Sequence, residues 1–193
     1  MHESPQVLRT ARLILSVPPP DHAPQVLRFY DENRAHLDRW DPPRPHDFNT
    51  EAFWRARLAQ QQAACVARTR FKFYLRLADD PDGAVVGTTS LDNIVWGPLM
   101  ACTLGYAVDH RFVGRGLARE AAAEAVRFAF DDLGLHRVAA GYDPTNERSA
   151  RVLDALGFAI EGFARRYLFV GGAWRDHVQT GKENPRHVVP DMG

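Results

Sequence analysis

The sequence has no excess of charge of either sign. Lys plus Arg and Asp plus Glu both number 24, so the broad cationic surface that grips a nucleic-acid backbone is absent. Direct nucleic-acid binding is not expected, and any anion site must be local. Cysteine is nearly absent as well. Cys65 and Cys102 cannot build a disulfide framework, and without a CxxC pair a metal finger is excluded. A reducing, cytoplasmic setting is expected. No apolar run approaches the roughly 18 residues of a membrane span, and Met1–Pro5 lacks the basic and apolar regions of a secretory leader. Neither membrane insertion nor secretion is expected. Internal repeats, linkers and low-complexity blocks are missing too. With 193 residues, 45% of them hydrophobic, the chain suffices for one substantial core but is short for two. A single domain over 1–193 is expected, with its core at about 8–180 and a loose, proline-bearing tail at 185–193.

What the sequence does have is a hydrophobic period that changes along the chain. Leu13, Leu15 and Val17 alternate, predicting a strand over 12–17 that the Pro18–Pro20 run stops. Asp21 can cap a helix whose Ala23, Val26, Leu27 and Tyr30 form one apolar stripe. A short helical stretch over 33–40 follows, and Thr50 caps a further helix to about Ala64. Phe71, Phe73, Leu75 and Leu77 then alternate with polar residues, giving a strand over 71–77. Strands over 85–91 and 101–108 flank a loop containing Trp96-Gly97-Pro98. An Ala-rich helix runs from 117 to 133 and stops at Gly134. Next come a strand over 137–142, a helix over 146–156 and a hairpin of 163–170 with 174–180 about Gly171-Gly172. Strands interleaved with helices in this order predict a mixed α/β domain, its central, mostly antiparallel sheet covered by helices on both faces.

One turn carries chemistry. Arg111, Phe112, Val113, Gly114, Arg115, Gly116, Leu117 and Ala118 lie between a strand end and the Ala-rich helix. Glycines there permit unusual backbone angles, and the first helical turn leaves N–H groups without partners, which together make a phosphate seat. Arg111, Arg115 and Arg119 add local positive charge. On spacing alone the segment reads equally well as a tight turn with solvated arginines. It has neither GxGxxG nor GxxxxGK followed by Ser or Thr, so it matches neither a dinucleotide fold nor a P-loop.

The pattern Arg111-x-x-Gly114-x-Gly116 followed by Leu117, Ala118, Glu120 and Ala121 resembles the acetyl-CoA pyrophosphate loop of the GNAT (Gcn5-related) N-acetyltransferases. Asn146-Glu147-Arg148-Ser149, Leu156-Gly157-Phe158 and Glu161-Gly162 resemble the second half of that motif in the ribosomal-protein branch. Arg9 to Leu13, Glu32-Asn33-Arg34 with Leu37 and Trp40, Tyr167-Leu168, and Trp174-Arg175-Asp176-His177 are similar to the RimJ type, whose acceptor is the N-terminal alanine of a ribosomal protein. The resemblance implies acetyl-CoA as cosubstrate, no metal, and transfer to a protein N-terminus. Two alternatives stay open: a small amine, amino-acid analogue or antibiotic as acceptor on the same fold, and a coenzyme A sensor with no turnover.

Acetyl transfer from a thioester needs a neutral amine, donors for the developing oxyanion and a proton for the leaving thiolate. An α-amine titrates at roughly 7.7 to 8.0, so a weak or water-relayed base suffices. The resemblance places the pantetheine arm along Tyr106, Ala107 and Val108. It gives Asn146 a hydrogen bond to that arm and Ser149 the acid role, while Asn33, Leu37, Trp40 and Tyr167 fall to the acceptor groove. Read from the residues alone, Asn146 caps its helix and Ser149 satisfies a carbonyl. The glutamate proposed as base in one related branch falls on Leu168, so Asp92 stands first for that role and Asp176 second. GxSxG and HExxH are absent, Cys102 reads as a buried thiol, and His136, His177 and His187 read as surface or pocket polar groups.

Overall fold

The computed structural model describes residues 6–187, with Met1–Pro5 and residues 188–193 outside them. The leader reading and most of the expected loose tail therefore fall outside the described residues. Residues 185–187, also expected to be loose, are tied down. Asn184 donates to the carbonyls of His136's neighbour Leu135 and of Phe130, Arg186 pairs with Asp131, and the His187 ring sits 5.0 Å from His136.

Eight strands form one sheet in the order β1-β2-β3-β4-β5-β6-β8-β7, antiparallel except where β5 meets β6. The strands are β1 (Val7–Arg9), β2 (Leu13–Ser16), β3 (Phe71–Leu77), β4 (Gly87–Val95), β5 (Ala101–Val108), β6 (Arg137–Tyr142), β7 (Ala159–Val170) and β8 (Ala173–Glu183). The helices are α1 (Ala23–Glu32), α2 (Arg34–Leu37), α3 (Glu51–Val66), α4 (Leu117–Arg127) and α5 (Glu147–Ala155).

Alternation along β3 divides the interior. Phe71, Phe73 and Leu75 join Leu91, Leu104, Val138, Leu153 and the alanines of α4 in one cluster. Tyr74, pointing the other way, joins Val26, Phe29, Trp54 and Leu58 of α1 and α3. Ala121, Ala122 and Ala125 are fully buried, and their small side chains let α4 lie close against the sheet. On the other face Tyr30 stacks on Trp54 at 4.6 Å. Each buried side chain of this size contributes about 1.5–3 kcal/mol.

Several boundaries differ from expectation. Asp21 does not cap α1. The prolines before it favour a short 3-10 turn, Pro20–His22, and His22 occupies the cap position without a side-chain bond. Thr50 does cap α3, accepting from Phe53 N. The 117–133 helix ends as an α-helix at Arg127 and continues as a π turn, Phe128–Asp132. That wider turn places Phe128 edge-on to Phe71 and Phe73. β4 begins later and runs longer than expected, with a bulge between Asp92 and Val95 where Asn93 adopts φ 51°. The short β1 pairs with β2 although no alternation announced it.

Candidate active site

Gly114 (φ 82°) and Gly116 (φ 78°) occupy left-handed backbone conformations where the chain turns from β5 into α4, and Gly116 is the N-cap of that helix. An added Cβ at Gly114 would meet nothing within 4 Å, so glycine is needed there for its backbone angle and not for space. The turn is fastened from the β1–β2 connection. Arg12 Nη1 donates to the Arg115 carbonyl at 2.9 Å and Arg12 Nε to Glu120 at 2.6 Å. Glu120 also accepts from Thr10 Oγ1 and Arg12 N. Burial alone would raise the Glu120 carboxyl, but the bonds from Thr10 and Arg12 hold it below its ordinary value. The stretch Arg9 to Leu13, separated from the turn by about a hundred residues, thus acts as its outer brace.

The three guanidinium groups do not behave alike. Arg111 is committed to Asp109 through Nε and Nη2 and to Glu32 through Nη2 at 2.8 Å. Arg115 lies over the Phe112 ring, and Arg119 is exposed. Asp109 is fully buried and also accepts from Arg111 N and from Asn33 Nδ2. Burial would raise this carboxyl, yet the bonds from Arg111 and Asn33 win and bring it down to about 2. Asn33, expected in the acceptor groove, has no exposed surface. Its amide spans Phe29 O, Asp109, His110 N and the His110 ring, joining the α1–α2 corner to the segment that leads into the glycine turn.

A carboxyl whose folded pKa lies below its ordinary 3.8 stabilises the fold above that value and loses the contribution as pH falls toward about 2. Asp109→Asn is therefore expected to cost about 3 kcal/mol at neutral pH, since Arg111 loses its buried partner. The gap to wild type should close between about pH 4 and pH 2. Urea denaturation at several pH values measures it, and an equal gap at pH 7 and pH 2.5 would refute the ionic account.

The second feature is a cleft. β5 and β6 pair only over Ala101–Thr103 and Arg137–Ala139, and beyond this they splay. Leu104, Gly105 and Tyr106 line one wall, Ala140, Gly141 and Tyr142 the other, and Asp143, Asn146, Ser149, Trp40, Val170 and His177 close it. Beyond Thr103 the edge of β5 facing this gap has no strand partner among the described residues, which leaves room for an extended ligand to pair with it. Tyr106 and Ser149 hydroxyls meet at 2.8 Å. Burial pushes Tyr106 up to about 12, so its hydroxyl keeps its proton. Asn146 Oδ1 accepts from Ser149 N, the capping role that its residue type suggested. Asp143 Oδ1 accepts from Thr145 N and Oγ1. Burial would raise this carboxyl, but those bonds keep it below its ordinary value. The Gly171 N–H donates to the Asp41 carbonyl at 3.2 Å, tying the β7–β8 tip to the segment that bears Trp40.

The other expected residues fall as follows. Ala107 and Val108 continue β5 toward the turn; Phe112, Val113 and Ala118 are half-buried around it, and Leu117 is a core residue. Leu37 is buried against α1 and α3. Tyr167 is half exposed on β7, its ring 5.8 Å from His177. Asp92 pairs with Arg70 and accepts from Ser90 Oγ at 2.7 Å, outside the cleft lining. Asp176 accepts from Arg166 N in the final hairpin.

A glycine turn at a helix start and a gap between two parallel strands are joined by a direct match: residues 12–159 fit the family described as an acetyltransferase (GNAT) domain. The chain belongs to the GNAT acetyltransferase family. This GNAT chain is 35% identical over 178 residues to the [ribosomal protein uS5]-alanine N-acetyltransferase of Escherichia coli, covering 92% of the chain and 91% of that relative. The crystal structure of the ribosomal-protein-S5-alanine acetyltransferase from Vibrio fischeri superposes with TM-score 0.89 at 34% identity, over 95% of this chain and all of that one. Mycobacterium smegmatis RimJ, solved with CoA-disulfide, gives TM-score 0.83 at 28% identity over 94% and 87%.

Three features of the GNAT site were not legible from its sequence. The side chain of Tyr106 reaches Ser149 across 43 positions. Asp143 enters the cleft with no motif to mark it beyond an Asp-Pro turn. His177, which the sequence left open as a surface or pocket polar group, reaches the same cleft from the final hairpin.

Proposed function

We propose that this GNAT chain transfers the acetyl group of acetyl-CoA to the N-terminal amine of a protein, with a ribosomal protein beginning with alanine as the expected acceptor. The supporting observation is the cleft between β5 and β6. It brings Ser149, Tyr106, Trp40 and His177 to one place, beside the strand that leads through Val108 to the Gly114–Gly116 turn. Similarity to the uS5-alanine enzymes across nine-tenths of the chain supports the choice of acceptor.

In this reading the N–H groups of the turn hold the diphosphate, and the free edge of β5 from Tyr106 to Val108 aligns the arm. The bound thioester supplies the acetyl group. Ser149 gives a proton to the departing thiolate and regains it from Tyr106, whose high pKa keeps it protonated. Asn146 holds the start of α5 so that the Ser149 hydroxyl stays aimed at Tyr106. Trp40 and Tyr167 border the acceptor side, and Asn33 and Leu37 act from beneath it.

A panel of short peptides beginning with Ala, Ser and Met, tested beside small amines by release of thiol from acetyl-CoA, checks the reading. The Ala peptide is expected to exceed the others by about tenfold or more in kcat/KM. Turnover confined to small amines would replace the acceptor, and coenzyme A binding with no turnover would replace the enzyme by a sensor.

A further inference from the structure

We infer that His177 is the base that takes the proton of the attacking amine, in a subsite whose negative charge is Asp143. The assignment rests on the transfer reaction proposed above. His177 is 6% exposed, yet it lines the cleft that holds Ser149 and Tyr106. Its Nδ1 lies 3.2 Å from the Arg175 carbonyl, which can only accept. Nδ1 therefore carries the hydrogen, and Nε2 is left as the ring's lone-pair nitrogen.

Asp143 completes the subsite. Thr145 occupies its Oδ1, and Oδ2 has no hydrogen-bond partner among the described residues. An ammonium entering the cleft is held by this carboxylate and gives one proton to solvent, and the neutral amine that remains has an imidazole for the proton it sheds on attack. Neither Asp92 nor Asp176 offers this, since the first is held by Arg70 and Ser90 and the second by the backbone of Arg166. As the amine nitrogen bonds to the thioester carbon, its proton passes to Nε2. The carbon–sulfur bond breaks, and the sulfur takes the Ser149 proton. Solvent then collects the proton from the imidazolium and returns one to the Tyr106–Ser149 pair, so charge and protons balance.

His177→Asn is the chosen variant, because its amide N–H can replace Nδ1–H on the Arg175 carbonyl but offers no basic nitrogen. His177→Gln is the second, should the first fold poorly. The groups facing His177 whose titration could intrude are Asp143, Tyr106 and Tyr142 across the cleft, Tyr167 from β7 and Arg175 on its own strand. With an alanine-starting peptide, kcat/KM at neutral pH is expected to fall about 100-fold. The acid limb of its pH profile should lose one proton of steepness, while coenzyme A affinity by calorimetry stays within about twofold. Nitrogen-15 spectra of the ligand-free protein should show His177 with hydrogen on Nδ1. Full activity with an unchanged acid limb in either variant, or hydrogen on Nε2, would overturn the assignment. A wild type inactive on all peptides but active on a small amine would instead overturn the N-terminal acceptor, and the same pH series on that amine would still decide His177.

Discussion

Replacing Gly114 by valine is expected to weaken coenzyme A binding by about 100-fold or more while the protein remains folded. Gly114 sits at φ 82° with no atom within reach of an added Cβ, so a clash is not the cause. The penalty is conformational. A β-branched residue in the left-handed region costs on the order of 1–3 kcal/mol, and the chain escapes that cost by rotating the peptide groups on either side. Those are the groups whose N–H bonds form the proposed anion seat, and turning them away removes donors that work only in concert. Gly97→Val is the matched control, since Gly97 shares the positive φ (75°) and the open surroundings but lies in the β4–β5 loop. It should lose similar stability and no affinity. Calorimetric titration with coenzyme A on both variants decides the matter, and unchanged affinity in Gly114→Val would remove the seat.

Ser149→Ala is expected to lower kcat by about 100-fold with little change in the KM for acetyl-CoA. Alanine keeps the helix and leaves the bond from residue 149's N–H to Asn146 in place, so only the hydroxyl facing Tyr106 is lost. Tyr106→Phe should produce a smaller fall in kcat, because Ser149 can still draw its replacement proton from water in the cleft. The double variant should be no slower than Ser149→Ala alone, since the two hydroxyls serve one proton path. Loss of kcat and affinity in equal measure would point to a packing role for Ser149 and end the acid assignment.

These outcomes depend unequally on sequence and fold. The 71–77, 101–108 and 137–142 strands and the cap at Thr50 were legible because each depends on a local rule, alternation in the strands and a side chain reaching three residues ahead at the cap. The glycine turn was legible for the same reason: a positive φ is a property of one residue. Arg111 was not: Asp109 is only two positions away, but that this carboxylate is buried against Asn33 and that Glu32, 79 positions away, holds the same guanidinium depend on how α1 packs on the turn. Asn33 shows the same limit. Its place in a motif marked it as important, but only the packing of α1 against the turn shows that its amide is spent on Asp109 and His110.

By itself the sequence determined most of the strands and helices, the glycine turn, and through its resemblance the GNAT family. Only the tertiary structure decided which polar groups face the cleft. The splay of β5 from β6 and the return of β8 beside β6 bring Tyr106, Asp143, Ser149 and His177 together. The reason is physical: backbone conformation is set by neighbours a few residues away, whereas a proton path needs atoms within about 3 Å, a distance that chain separation does not encode.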